Sequence, residues 1–188
     1  DFGSDVSVVL RDQDQNIVNS GPDSSRSVVA SNADANTALS GTTTVTATAG
    51  RATFTNLRLT GPVGAKTVAL TWGTSPSIAA NLSVELSHGV ATQLVLTQDA
   101  ATAASRAVFG TQPVVSVRDV SGNPVSDFVG RVTVDVSRAG TSVPFALTGA
   151  TGVGLSGSPT ATFSGVGLYG EVGTFTLTYS STNLASAT

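Results

Sequence analysis

The chain has 188 residues, enough for one large domain or for two domains of about 90 to 110 residues each. Its formal net charge of −3 and its single lysine, Lys66, argue against a basic face that binds nucleic acid or an anionic membrane surface. The chain lacks cysteine, which excludes disulfides, thiolate metal sites and cysteine nucleophiles. No apolar run approaches the roughly 18 to 20 residues that cross a bilayer, so membrane insertion is not expected.

Short segments in which apolar and polar residues alternate follow one another along the whole chain. This period of two predicts strands with one buried face. The segments are separated by Gly, Pro, Asn and Ser, and no stretch shows sustained helical periodicity. We therefore predict an all-β fold built of β-sandwiches. The predicted inward-facing residues are Val6, Val8, Leu10, Val68, Leu70, Trp72, Leu82, Val84, Leu86, Leu94, Leu96, Val115, Val117, Val132, Val134, Val136, Phe175, Leu177 and Tyr179.

The two halves of the chain resemble each other. The stretch VSVVLRDQDQNIV, residues 6–18, matches PVVSVRDVSGNPV, residues 113–125. This match pairs Asp12 with Asp119, which lies 107 positions further along the chain. A repeat of this length predicts two structural units of the same kind.

A second block of the repeat follows in the same order. The stretch GRATFTNLRLTGPVG, residues 50–64, matches PTATFSGVGLYGEVG, residues 159–173, at an offset of 109. Because the order is preserved and the offset changes by only two residues, chance is a poor explanation. We predict two tandem copies, residues 1–88 and 89–188.

Asp12, Asp14 and Asn16 have the alternate spacing with which a calcium-binding loop begins. The second copy has Ser121 where the first has Asp14, and Ile17 stands where an EF-hand loop requires glycine. We favour a hairpin turn that is capped by the Asp and Asn side chains. The alternative is a weak calcium site formed by Asp12, Asp14 and Asn16 in the first copy only.

The phrases VSVRDVSGNPV, ATFSGVGL and GTFTLTYSS, in this order within about 100 residues, resemble the bacterial immunoglobulin-like (Big-type) repeats of large surface and secreted proteins. The resemblance covers nearly the whole chain, twice. It implies two tandem immunoglobulin-like β-sandwiches and an extracellular spacer, stalk, adhesin or fibre module. Its motifs mark structural corners and carry no catalytic residues.

The two copies differ at their ends. The second copy has an apparent opening strand near residues 94–97, for which the first copy shows no counterpart. The first copy has an apparent closing strand at residues 81–87, whereas the second copy stops near the equivalent point. Unpaired edges are unfavourable in isolated domains. We therefore expect either a segment cut from a longer tandem chain or edges completed by strands of neighbouring subunits.

Few residues offer reactive chemistry. His88, the only imidazole, stands beside Gly89 at the predicted junction and is expected to be exposed and not catalytic. The Gly-rich stretch at residues 149–157 is not followed by a helical segment, so we predict a flexible loop and not a phosphate site. Asn81 begins an Asn-Leu-Ser sequon and is a glycosylation candidate. We predict no enzyme, no catalytic residue and no cofactor.

The aromatic residues raise the question of a binding surface. Trp72 and Tyr179 lie on predicted inward faces and are expected to pack in the core, whereas Tyr169 is left open between core and surface. The sequence favours a structural subunit of an extracellular fibre or cell-surface stalk whose partners are identical subunits or neighbouring repeats, head to tail. The alternative is an adhesin module that binds a glycan or a host protein through loops at one sandwich end.

Overall fold

The computed structural model describes residues 5–73, 78–101, 104–140 and 142–188. Within these residues the fold is all-β and sandwich-like, with one short 3-10 helix at Pro22–Ser25 as its only helical element. The chain divides into two compact units, Asp1–Ser87 and His88–Thr188, here called unit 1 and unit 2. The all-β prediction is therefore confirmed.

Unit 1 contains eight strands in its described residues, and the longest sheet has the order β4-β2-β7-β8. Unit 1 also contains two further antiparallel pairs, β1 with β5 and β3 with β6. Its core includes Val28, Phe54, Val68, Leu70 and Trp72, each less than 9% exposed. The strands are β1 (Val6–Val9), β2 (Ser27–Asn32), β3 (Ala38–Ser40), β4 (Thr44–Thr46), β5 (Arg51–Phe54), β6 (Arg58–Thr60), β7 (Gly64–Trp72) and β8 (Ile78–Leu86).

Unit 2 has nine strands in its described residues, arranged in three sheets of order β15-β11-β9, β14-β12-β17 and β10-β16-β13. Val115, Val117, Phe163 and Tyr179 are at most 1% exposed and lie at the centre of its core. The strands are β9 (Ala91–Gln98), β10 (Ala107–Val108), β11 (Val114–Asp119), β12 (Val129–Ser137), β13 (Ala146–Thr148), β14 (Gly152–Ser156), β15 (Thr160–Thr162), β16 (Gly167–Tyr169) and β17 (Thr176–Ser180).

The two units share one pattern of strand pairing. In unit 1, β1 pairs with β5, β2 with β4 and β7, and β3 with β6. In unit 2, the strands at the matching places pair in the same way: β11 with β15, β12 with β14 and β17, and β13 with β16. The sequence repeat is thus also a repeat of strand topology.

One close backbone approach is also repeated. Gly41 has φ 88°, and a Cβ atom built there would lie 2.1 Å from the carbonyl oxygen of Asn56. Gly149 has φ 82°, and its Cβ would lie 1.9 Å from the carbonyl oxygen of Gly165. Only glycine combines this left-handed backbone with so close a contact. The same crossing therefore requires the same residue in both units.

The prediction of a flexible loop at residues 149–157 was wrong. Gly152–Ser156 forms strand β14, which pairs with β12 from Val129 to Thr133. Leu155 is 7% exposed and belongs to the core of unit 2. Its two glycines, Gly152 and Gly154, hide the strand in the sequence, because a residue without a side chain adds nothing to the alternation of apolar and polar positions.

Candidate functional site

The turn that follows β1 is built around the Asp12 carboxylate. Its Oδ1 accepts hydrogen bonds from the backbone N–H groups of Asp14 at 3.0 Å and Asn16 at 2.8 Å. Its Oδ2 accepts one from Nδ2 of Asn16 at 3.3 Å. A short carboxylate that caps its own backbone in this way stabilises a tight turn. The interpretation of this motif as a hairpin turn capped by Asp and Asn is confirmed.

The same turn follows β11 in unit 2. Asp119 Oδ1 accepts the backbone N–H groups of Ser121 at 2.9 Å and Asn123 at 2.8 Å, and Oδ2 accepts Nδ2 of Asn123 at 3.0 Å. One further bond has no counterpart among the described residues of unit 1: the N–H of Gly89 donates to Asp119 Oδ2 at 2.8 Å. The turn of unit 2 thereby holds the segment that leads into β9.

The environment of Asp119 changes its acidity. Burial raises the pKa of this carboxyl, but the hydrogen bonds from Gly89, Asn123 and Ser121 together lower the pKa more, so that it lies below its ordinary value. The ionised form is therefore the one that the turn stabilises.

The carboxylate of the first calcium candidate residue is occupied by its own turn. Asp12 directs both oxygens at N–H donors of its own turn, and Asp14 contributes its backbone N–H to that turn. Within the described residues, no group of three or more His, Cys, Asp or Glu side chains lies close enough to hold a metal ion. Asp12, Asp14 and Asn16 thus have a turn-forming arrangement in this structure.

Strand β9 covers the outer edge of β11. It pairs antiparallel with β11, with Leu94 opposite Val117 and Leu96 opposite Val115. Leu94 is 4% exposed and belongs to the core of unit 2. The Gln93 side chain adds a hydrogen bond from Nε2 to the carbonyl oxygen of Asp119 at 2.8 Å. Strand β9 therefore both completes a sheet and fills part of the core.

The last residues of the chain meet the other side of β9. Ala185 forms a parallel bridge with Gln93, through bonds from the N–H of Leu94 to Ala185 O and from the N–H of Ala185 to Thr92 O. Ala187 forms an antiparallel bridge with Tyr179 of β17. In unit 2, β9 thus lies between β11 and the segment after β17.

Unit 1 has an open cavity at the corresponding place. Its volume is about 260 Å³, and its lining combines apolar side chains with three charged ones: Leu10, Val18, Trp72 and Ile78, and Arg11, Asp23 and Arg26. Ile78 is 53% exposed, which is unusual for a large aliphatic side chain beside a core tryptophan. Among the described residues, β1 pairs with β5 only, so the edge of β1 beside this cavity has no strand on it. We call this edge with its cavity the β1 groove.

His88 lies in a small polar cluster. Its Nε2 is 3.2 Å from Ser126 Oγ and 3.5 Å from Asp127 Oδ1, and its Nδ1 is 3.0 Å from the carbonyl oxygen of Gly89. In a Ser-His-Asp triad the serine and the carboxylate contact different ring nitrogens, whereas here both approach the same one. With Nδ1 donating to Gly89, the imidazole holds the start of unit 2 in place.

Trp72 and Tyr179 are both buried, as predicted. Trp72 is 5% exposed and donates its indole N–H to the carbonyl oxygen of Asp23 at 3.2 Å. Tyr179 is fully buried and packs on Phe163 with ring centroids 5.7 Å apart. Core packing of Trp72 and Tyr179 is therefore confirmed, while Tyr169 is half-buried at the end of β16.

Asn81 lies in the middle of β8, opposite Ala69 of β7, and its side chain is exposed. The sequon is accessible in the folded unit, and glycosylation of Asn81 stays a prediction. The β1 groove was not predicted as a site. Its only sequence signal was the missing counterpart of β9, because its lining residues come from five separate segments of the chain.

Comparison with protein-family models and with curated protein sequences finds no match. Among solved structures, a beta-glycosidase from Bacteroides vulgatus is similar with a TM-score of 0.36 and 16% sequence identity. The match covers 87% of this chain and 20% of that chain, so the chain spans about a fifth of the glycosidase. In the described part of the chain, no helix has the length and apolar character needed to cross a membrane.

Proposed function

We propose that the chain is a structural segment of an extracellular fibre or cell-surface stalk, made of two tandem immunoglobulin-like sandwiches of the Big type. The observation that carries the proposal is the repetition of one module within the chain. Both units share their strand pairing, and both place a glycine at the same backbone crossing. Repetition of a rigid unit builds length, which is what a fibre or stalk requires.

The proposed mechanism is mechanical. Each unit holds a fixed shape through a core of its own, and strand pairing across the boundaries between subunits would connect the cores and transmit force. Backbone hydrogen bonds of a sheet resist shear because many of them must break together. The partners are identical subunits or neighbouring repeats, and the location is outside the cell.

Negative-stain microscopy of the native material tests this proposal. We expect regular filaments or surface projections with a constant axial repeat. Native material that shows only dispersed particles without a linear arrangement would contradict the fibre and the stalk together. The measurement does not depend on knowing which surface joins the subunits.

A second candidate is an adhesin module that binds a glycan or a protein. It is favoured by a groove of about 600 Å³ in unit 2, beside Val90, Phe128, Val129 and Leu184. Val90 is 85% exposed and Val129 is 74% exposed, so apolar surface is available there. Screening the purified chain against a glycan array and against extracellular-matrix proteins tests this candidate, and specific retention would favour it.

A further inference from the structure

We propose that the β1 groove of unit 1 is a receptor for an extended strand of the β9 type, supplied by a neighbouring subunit. The strand runs antiparallel to β1, bonds its first backbone N–H to Asp12 and places an apolar side chain in the cavity. This inference rests on the proposed fibre function and deepens it, because it names the surface and the chemistry that join two subunits.

Unit 2 shows the register that such a strand adopts. On β11, Leu94 lies opposite Val117, Val95 opposite Ser116 and Leu96 opposite Val115. The sequence repeat places Leu10, Val9 and Val8 at the positions of Val117, Ser116 and Val115. A strand in the β1 groove would therefore face Leu10 with the residue that corresponds to Leu94.

The cavity lies where this leucine would enter. Leu10 lines it and corresponds to Val117, the residue that faces Leu94 in unit 2. Ile78 lines it too and corresponds to Ala185, because Leu70 pairs with Ala80 just as Tyr179 pairs with Ala187. A cavity of about 150 Å³ already admits a benzene molecule, so about 260 Å³ admits a leucine side chain.

The residues beside the groove are more exposed in unit 1 than their counterparts are in unit 2. Asp12 is exposed whereas Asp119 is 3% exposed, and Asn16 is exposed whereas Asn123 is 7% exposed. Val8 is half-buried whereas its counterpart Val115 is fully buried. The turns themselves are alike, so the difference comes from the strand and leading segment that cover them in unit 2.

The backbone of β1 has donors directed at the groove. The N–H of Leu10 donates to Gly50 O on the β5 side. Because successive residues of an antiparallel strand turn their N–H groups to opposite edges, the N–H of Val9 faces the groove. Asp12 Oδ2, which accepts only Asn16 Nδ2 among the described contacts, corresponds to the oxygen that accepts Gly89 N–H in unit 2.

These contacts define the chemistry of the occupant. It is an extended peptide with apolar residues at alternate positions, a polar side chain that reaches the turn carbonyl, and a small residue at the Asp12 end. The segment from Gly89 to Gln98 has this pattern, but in its own unit it is already paired with β11. In this proposal, the occupant of the β1 groove is a strand of the same pattern from another subunit.

A peptide with the sequence HGVATQLVLTQD, residues 88–99, is the probe. Titrated into the full chain, it is expected to bind and to shift the emission of Trp72, which lines the cavity and is the only tryptophan. The peptide with Leu94→Ala is the matched control and is expected to bind at least tenfold more weakly, because it lacks the apolar side chain that would fill the cavity.

Two variants of the chain test the pairing itself. Val9→Pro removes the N–H that faces the groove and is expected to weaken peptide binding at least tenfold. Val9→Thr keeps the N–H and the branched shape, and is expected to bind within about twofold of the parent chain. Equal binding to both variants, or no binding of the peptide to the parent chain, would overturn the proposal.

Register is tested by cross-linking, which is simple because the chain has no cysteine. Val9→Cys is expected to form a disulfide with the peptide that carries Val95→Cys, and not with the peptide that carries Leu96→Cys, whose side chain points to the opposite face. The reverse preference would overturn the proposed register. If native material forms filaments but the β1 groove does not bind the peptide, this receptor is refuted and the proposed fibre function is retained.

Discussion

Asp12 and Asp119 make the same turn from the same side-chain bonds, yet only Asp119 is buried and only Asp119 holds a segment 30 residues away in the sequence. The carboxylate is the same chemical group in both places. Its contribution to stability differs because the N–H of Gly89 and the cover provided by β9 are present in unit 2.

Acid should destabilise unit 2 through Asp119. Burial raises the pKa of Asp119, but its hydrogen bonds lower the pKa more, so the folded-state value lies below the ordinary 3.8. The resulting stability is fully present above the ordinary pKa and is lost as the pH falls through the lower folded-state value. We expect Asp119→Asn to reduce the slope of stability against pH in this range.

The measurement is urea unfolding of unit 2, followed by NMR resonances of its core residues at several pH values. Asp135→Asn, which removes one exposed carboxylate from the same unit, is the control for a change in net charge. If stability depends on pH equally steeply in Asp119→Asn and in the parent chain, Asp119 is not the group that makes unit 2 sensitive to acid.

Tyr179 illustrates a buried polar atom without a partner. Its hydroxyl is fully buried and makes no hydrogen bond within the described residues. We expect Tyr179→Phe to leave the stability unchanged or to raise it by up to about 1 kcal/mol, because phenylalanine keeps the ring without the desolvated hydroxyl. Urea unfolding of the two proteins is the measurement. A loss of more than about 1 kcal/mol would reveal a missing partner.

The same residue should make the stability of unit 2 sensitive to alkaline pH. Burial, with a smaller effect of the Asp99 charge, raises the pKa of Tyr179 from 10.0 to about 12. Below pH 10 the hydroxyl is protonated in both states, so this group costs no stability there. Between pH 10 and 12 the unfolded chain ionises first, and stability falls. Absorbance at the tyrosinate band should show a late transition that is lost in Tyr179→Phe.

At the scale of elements, the repeated glycine crossing controls how the short strands meet. Gly149→Ala is expected to cost about 2 to 4 kcal/mol, since a left-handed alanine and a clash with the carbonyl of Gly165 combine. Gly157→Ala is the matched control: its φ is 73°, but a Cβ there meets no atom within 4 Å. It should cost only about 1 kcal/mol. Urea unfolding of unit 2 compares them, and equal losses would refute the steric argument.

The equivalent strands β1 and β11 have similar sequences but different neighbouring strands. β1 and β11 have the same alternation and the same following turn, but β11 has neighbours on both edges and β1 has one within the described residues. The apolar pattern of a strand specifies which face is buried. It carries little information on which strand lies beside it, because backbone pairing is independent of side-chain identity.

At the scale of the whole molecule, each unit has a core cluster of its own, and no described residue belongs to both clusters. Phe54 and Phe163 occupy equivalent places, each 1% exposed. Phe54→Ala is expected to cost about 3 to 5 kcal/mol in the unfolding transition reported by Trp72. Phe163→Ala should leave that transition unchanged, because it removes no contact from the core of unit 1.

Fluorescence of Trp72 during urea unfolding is the measurement, since this single tryptophan lies in the core of unit 1. Phe163→Ala is expected to lower the stability of unit 2, read from NMR resonances of Val115 and Tyr179. A Trp72 transition that moves equally in both variants would show that the two cores unfold as one.

Much of the architecture could be predicted from the sequence because it depends on local periodicity and on self-similarity. The strands around Val115 and Val132, the buried Trp72 and Tyr179 and the Asp–Asn turn were all predicted and found. Strand β14 was missed because its glycines hide the alternation. The β1 groove could not be predicted as a site, because Leu10, Trp72 and Ile78 meet only after the sheet has formed.

The all-β class, the tandem repeat and the turn chemistry could be inferred from the amino-acid sequence, since each of these follows from residues that are close together or that recur at a fixed offset. The burial of Asp119, the exposure of Asp12 and the cavity beside β1 arise only when the chain folds. The physical reason is that burial and strand neighbours depend on contacts between distant segments. Two stretches that form the same strand and turn therefore have different surroundings within one chain.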